Sequence, residues 1–239
     1  MYKLSRYFIL SISSCIFYAS VFAQSSKALP AEYSFKLGIT YELTGGKAGE
    51  TPRTTTTTFW FSEKDYAGFD LPKQQGMLIV YDLPNKQMLT FMTDKKMVMV
   101  MDMGKMEQKI DSIKKQPSGQ SKKEAGGKLI KTGKTEMILG YSCDQYQMTS
   151  SNSTALIWVT KELGAGFGNF AQGFSQLMKS NPSGTQMPDM KAMGNGMMLK
   201  MESKSTESGS ISRLEAKSIH KEGKTISTAA YKIMAIPGN

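Results

Sequence analysis

The chain has 239 residues, with 30 Lys and Arg against 20 Asp and Glu for a formal charge of +10, and it contains one histidine, two cysteines and 19 methionines. That length suits one large core rather than several domains, and with Cys15 in an N-terminal leader only Cys143 is left, so no internal disulfide can staple the fold. A basic excess favours anionic surfaces such as lipid headgroups, polysaccharides or a cell envelope, but the recognition helix or interleaved aromatic and basic residues of a nucleic-acid reader are missing.

Lys3 and Arg6 make a positive start, Tyr7 to Phe17 an apolar stretch, and Val21-Phe22-Ala23 a small-residue cleavage site before Gln24, the order of a secretory signal. Removal of residues 1–23 leaves 239 − 23 = 216 residues, 24–239, as a single β-rich domain with a charge of +8. The expected location is the periplasm or the exterior. The apolar stretch is too short and too Ser-rich for a membrane span of roughly 20 residues, and nothing later approaches one, so the mature chain is expected to lack a transmembrane span. A competing reading takes Ile12-Ser13-Ser14-Cys15 as a lipoprotein processing box that would acylate Cys15 and anchor the chain to the outer membrane. The apolar residues continuing through Ile16-Phe17-Tyr18 argue against it.

From Tyr33 the pattern has period two, with Tyr33, Phe35, Leu37, Ile39, Tyr41 and Leu43 on one face, and predicts one long half-buried strand. A turn from Gly45 to Pro52 leads into a β-branched and aromatic strand over Thr54 to Phe61, where the threonine run is a matter of strand propensity. Three short strands follow at Gly76 to Asp82, Lys86 to Thr93 and Lys96 to Met103. The punctuation between them, Pro84-Asn85 and Asp94-Lys95, is so brief that they should form an antiparallel meander.

Residues 114–128 carry no large apolar side chain and predict a flexible exposed loop. Further strands are expected at Leu129 to Leu139, Ser142 to Thr149 and Thr154 to Thr160. Phe167, Phe170, Phe174, Leu177 and Met178 then recur at helical spacing, which predicts an amphipathic helix over Lys161 to Ser180, weakened by four glycines. Asn181 to Gly196, with Pro182 and Pro188, reads as an irregular lid. Closing strands at Met197 to Ser205, Ser210 to His220 and Lys224 to Met234 bring the count to ten or eleven. The expected architecture is a curved antiparallel sheet or incomplete β-barrel with one or two helices, covered by the helix and lid.

Methionine is the feature that most invites a functional reading. Met97, Met99, Met101 and Met103 alternate along one strand, and Met187, Met190 and Met193 recur in the lid. Flexible, polarizable thioethers adapt to apolar ligands of varied shape. The expected lining of an apolar site, for an acyl chain or a lipid-like ligand, is Trp60, Met97, Met99, Met101, Trp158, Phe170 and Phe174. Plain core packing would use the same residues, and in that case the chain is a structural or interaction module of the envelope. A third reading is soft-metal binding, since thioethers select Cu(I). Sulfurs two residues apart on a strand are about 7 Å apart, so such a site needs a second strand. A fourth is an oxidant sink through reversible sulfoxide formation.

Catalysis has little to build on. His220 has no G-x-S-x-G partner and, read as a lone exposed histidine, only Glu222 as an acidic neighbour. Its spacing from Cys143 is not that of metal ligands, so neither metal nor cofactor is expected and the chain is read as a non-enzyme. Cys143 lies in an apolar strand and is expected to behave as a small buried hydrophobe. Gly166-Phe167-Gly168-Asn169-Phe170-Ala171 fits G-x-G-x-x-A, but it follows hairpin-connected strands rather than a βαβ unit and Phe167 would crowd a pyrophosphate. Asn152-Ser153-Thr154 is a glycosylation sequon only in a eukaryotic host.

Lys134-Thr135-Glu136-Met137-Ile138-Leu139-Gly140-Tyr141-Ser142-Cys143 with its G-Y-x-C pattern, followed by Leu156-Ile157-Trp158-Val159-Thr160, resembles the DUF4412 family of exported bacterial proteins. Ile79 to Asp82, Lys95 to Met99 and Gly196 to Glu202 fit the same pattern. That family has no known function. Its architecture is similar to the LolA and LolB lipoprotein carriers, so the resemblance implies an open β-barrel around an apolar cavity and transfers no catalytic residue. The methionine load and the long polar loop depart from those carriers and speak against lipoprotein as the cargo.

Overall fold

The computed structural model describes residues 29–46, 49–71, 76–104, 128–150, 153–164 and 196–235. Alternation of apolar and polar side chains carries these residues into fourteen strands: β1 (Glu32–Phe35), β2 (Leu37–Gly46), β3 (Arg53–Phe61), β4 (Tyr66–Asp70), β5 (Met77–Asp82), β6 (Gln87–Met92), β7 (Met97–Asp102), β8 (Lys128–Ile138), β9 (Tyr141–Thr149), β10 (Ser153–Thr160), β11 (Met197–Ser205), β12 (Ile211–His220), β13 (Lys224–Ser227) and β14 (Lys232–Ala235). Twelve of them make one open, curved sheet in the order β14-β7-β6-β5-β4-β3-β2-β12-β11-β10-β9-β8, and β1 pairs with β13 as a separate ribbon. All pairings are antiparallel except β14 on β7. The sheet is therefore two meanders, β2–β7 and β8–β12, joined where β12 pairs with β2.

Short turns explain the first meander. Lys86 and Lys96 both take positive φ, 52° and 50°, at matching positions after Pro84-Asn85 and Asp94-Lys95, which is how hairpin loops of this length reverse the chain. The Asp82 carboxylate accepts from the Asn85 amide nitrogen at 3.1 Å and from its side chain at 2.8 Å, which tightens the first of these turns.

The structure corrects several sequence expectations. The single strand expected from Tyr33 to Leu43 breaks at Lys36, whose amide donates to the Phe61 carbonyl at 2.9 Å. Tyr33 and Phe35 consequently enter a different core from Ile39 and Tyr41. The strand expected from Lys224 to Met234 also divides, at the 3-10 turn Thr228–Ala230, because β13 pairs with β1 while β14 joins β7. β4, only five residues long and containing Gly68, had no clear alternation to announce it.

Lys161 to Gly164 form a turn rather than the first turn of the predicted helix. The rest of the expected helix with Phe170 and Phe174, the expected lid to residue 195, the expected polar loop before Lys128 and the expected leader with Cys15 lie outside the described residues. The one complete helical element among the described residues is the 3-10 turn, and none of their helices is long and apolar enough to cross a membrane.

Two cores result. One gathers Ile39, Tyr41, Phe59, Phe61, Ile157, Val159, Met197 and Leu199 around the junction of the two meanders. The other places Tyr33, Phe35 and Ile226 of the ribbon on Leu78, Val80, Leu89, Phe91 and Val98. Those five side chains of β5–β7 are 0–1% exposed, so one face of the meander is sealed by β1 and β13.

Candidate functional site

Because β5, β6 and β7 alternate, sealing one face leaves the residues between as a second face. Directly opposed residues of paired strands point to the same side, and the register sorts this second face into three rows. Met77 opposes Met92 and Met92 opposes Met97. Ile79 opposes Thr90, Thr90 opposes Met99, and Met99 opposes Met234 of β14. Tyr81 opposes Met88 and Met88 opposes Met101. All seven methionines are half-buried, in contrast to the buried opposite face.

An aromatic ladder extends this surface across the sheet. The Tyr81 and Phe69 rings stack at 6.0 Å, Phe69 and Phe59 lie 5.8 Å apart, and Phe59 meets Tyr41 edge-on at 5.5 Å. Burial pushes the Tyr81 hydroxyl up to about 12, so it stays neutral at physiological pH. Across the rows the only polar side chains are Thr90, the Tyr81 hydroxyl and, at the β14 border opposite Met97, the exposed Lys232. A face built this way can pack against apolar matter and offer sulfur lone pairs; it holds no acid–base pair for proton transfer. Among the described residues no group of three His, Cys, Asp or Glu side chains is arranged for a metal ion.

Of the residues expected to line the site, the structure brings Met97, Met99 and Met101 together on this face. It adds Met77, Met88, Met92 and Met234, which sequence reasoning missed. The signal was available for the first three as alternation along β5 and β6, but assigning them to one face requires the cross-strand register.

Trp60 lies elsewhere. Phe59 opposes Phe69, Phe69 opposes Ile79, and so on to Met99, so Phe59 shares the methionine face and Trp60, one residue on, points to the sealed side. Its ring lies across Gly38, where any Cβ would come within 2.5 Å of the indole. Its Nε1 donates to Asp70 Oδ2 at 2.9 Å, and the Lys224 ammonium, bridged to Asp70 at 3.0 Å, sits 4.8 Å from the ring centre. Trp158 is on β10, remote from β7 in strand order. It opposes Lys200, whose ammonium is 4.2 Å from the indole centre and also bridges to Glu136 at 3.2 Å.

Both indoles are thus occupied by lysines. Phe170, Phe174 and the glycine motif over residues 166–171 lie outside the described residues. His220 is not a lone exposed histidine: its Nε2 is 2.9 Å from Thr40 Oγ1, its Nδ1 3.3 Å from Glu222, and its ring 5.8 Å from that of Trp60. Cys143 is fully buried.

No curated protein matches the chain. Solved structures are similar to the chain at low identity and low TM-score. PNGF-II is 15% identical, with 84% of this chain and 31% of that one covered at a TM-score of 0.31, so the chain spans about a third of its length. A LolA superfamily protein from Nitrosomonas europaea is 11% identical, with coverage of 80% and 86% and a TM-score of 0.28. A domain from Vibrio parahaemolyticus described as a putative outer membrane lipoprotein-sorting protein is 12% identical, with coverage of 77% and 84% and a TM-score of 0.28. Residues 59–231 match the family described as "Domain of unknown function (DUF4412)".

Proposed function

The chain belongs to the DUF4412 family, and we propose that it is an extracytoplasmic binding or carrier protein that holds an apolar ligand of the acyl-chain kind against the methionine face of β5, β6, β7 and β14. The observation that carries this reading is the asymmetry of one meander. Its ribbon side is closed by Tyr33, Phe35 and Ile226, while seven half-buried methionines stand in register on the other. Contiguous apolar surface of this kind marks a binding place more often than a resting exterior, and unbranched thioethers reshape to chains of differing curvature. The signal-like pattern of residues 1–23 supports the location, and the excess of lysine supports contact with an anionic envelope surface.

The test uses a fluorescent fatty acid and native mass spectrometry of the protein from its own host. Replacing Met88, Met99 and Met101 together by asparagine should weaken fatty-acid binding by about tenfold or more, because each lost apolar contact is worth on the order of 1 kcal/mol. Unaltered binding, or an unmodified protein that neither carries nor takes up lipid, would discard the carrier. A second reading, an interaction module of the envelope, is favoured by β8, the edge strand among the described residues, where Ile130 is 55% and Met137 66% exposed. Co-purification of a stoichiometric protein with no lipid would select it.

A further inference from the structure

The rows of the methionine face do more than enlarge an apolar patch. Along a single strand, alternate sulfurs are about 7 Å apart, which is why the sequence alone gives no converging donors. The register changes this for one set. Met77, Met92 and Met97 oppose one another on three successive strands, with Met92 in the middle. Neighbouring strands are about 4.8 Å apart, and a methionine sulfur stands two bonds beyond Cβ. The outer two side chains can therefore lean inward over Met92, so that three sulfurs face one point above it.

The donor set is chemically selective. Three thioethers carry no charge and give nothing to a hard cation, whereas they suit a soft monovalent d10 ion. Oxygen ligands are scarce at this place: the row itself holds none, and Asp94, in the turn between β6 and β7, lies against Gly76 rather than in the row. Lys232, opposite Met97, is exposed and free to extend into water. The half-buried state of all three methionines leaves an ion a route in while limiting the water that competes for it.

We propose that Met77, Met92 and Met97 form a binding site for a soft monovalent cation, Cu(I) or its analogue Ag(I). The site uses part of the face assigned above to an apolar ligand, but it depends on sulfur rather than on greasiness, and this difference separates the two ideas experimentally. Met→Leu keeps volume and apolarity and deletes the donor.

The experiment titrates the full chain with Cu(I) under anaerobic, reducing conditions against a chromogenic Cu(I) chelator, with Ag(I) calorimetry in parallel. It compares the unmodified protein, the triple variant Met77→Leu, Met92→Leu, Met97→Leu, and a control pair, Met88→Leu with Met101→Leu. The unmodified chain and the control pair should each withdraw one equivalent of Cu(I) from the chelator. The triple variant should compete about tenfold less well or worse, while its melting temperature stays unchanged. Failure of the unmodified chain to withdraw Cu(I), or full retention by the triple variant, would overturn the site. An unmodified chain that withdraws Cu(I) but binds no fatty acid would instead overturn the carrier reading and leave the cation site standing.

Discussion

Cys143 shows how far burial determines what a side chain can do. It is 0% exposed, and burial, helped by the nearby Glu136 and Glu162 carboxylates, pushes its thiol up to about 11. Reactivity belongs to the thiolate, so at pH 8 the folded protein presents almost none. A thiol-labelling reagent followed by peptide mapping should modify Cys143 at least about 100-fold more slowly in the native than in the urea-unfolded chain. Similar rates in both would mean that the thiol meets solvent and that its role as a small hydrophobe is mistaken. Trp60 tells a related story: its indole looks like a ligand platform in the sequence, but Gly38, Asp70 and Lys224 already take its face and its N–H.

The ribbon of β1 and β13 is the element on which the asymmetry of the meander depends. Its four register pairs run from Glu32 with Ser227 to Phe35 with Lys224. The chain enters β13 through Gly223, at φ 69°, where a Cβ would stand 2.1 Å from the Phe35 carbonyl oxygen. That neighbour is backbone and cannot swing aside, and a left-handed conformation alone costs an L residue roughly 1–2 kcal/mol. Gly223→Ala should therefore displace β13 from β1, lower the unfolding midpoint by several degrees, and shift Trp60 emission to longer wavelength as Lys224 withdraws. A variant with unchanged melting and emission would show that the ribbon is not held by this close approach.

For the molecule as a whole, the balance of charge sets limits at both ends of the pH range. On β8, β11, β12 and β2, Glu136, Lys200, Glu202, Arg213, Glu215, Lys217 and Glu42 alternate in sign, with contacts from 2.7 to 3.5 Å. Apart from those of the buried Lys200 these are partly or largely exposed pairs that add little each, but the Lys217 hydrogen bond holds Glu215 below its ordinary value. Its contribution is present above the unfolded carboxylate range and is lost as pH falls through the lowered value.

The alkaline limit is sharper. Burial raises the hydroxyls of Tyr41 and Tyr81 and, with the Asp82 hydrogen bond adding to it, that of Tyr33; Tyr81 reaches about 12. An unfolded tyrosine ionises near 10, so the stability these groups lend is complete below pH 10. It falls above that by about 1.4 kcal/mol per pH unit for each. The domain should unfold cooperatively between pH 10 and 12, with part of the tyrosinate absorbance appearing together with the loss of β circular dichroism. Full tyrosine ionisation with an intact sheet would contradict this.

Strand identity and the mainly β character could be read along the chain, because alternation and turn chemistry are local. Gln87–Met92 and Met97–Asp102 fall within their expected strands, and Met97, Met99 and Met101 share a face by period alone. The break at Lys36, the pairing of β12 with β2 and the parallel attachment of β14 to β7 could not be read there. Each depends on a partner far away in sequence, and the same apolar residue satisfies period two whichever strand it meets. Thus methionine content and spacing were local facts, whereas the joining of seven methionines into rows, and the departure of Trp60 and Trp158 from them, followed from register between strands.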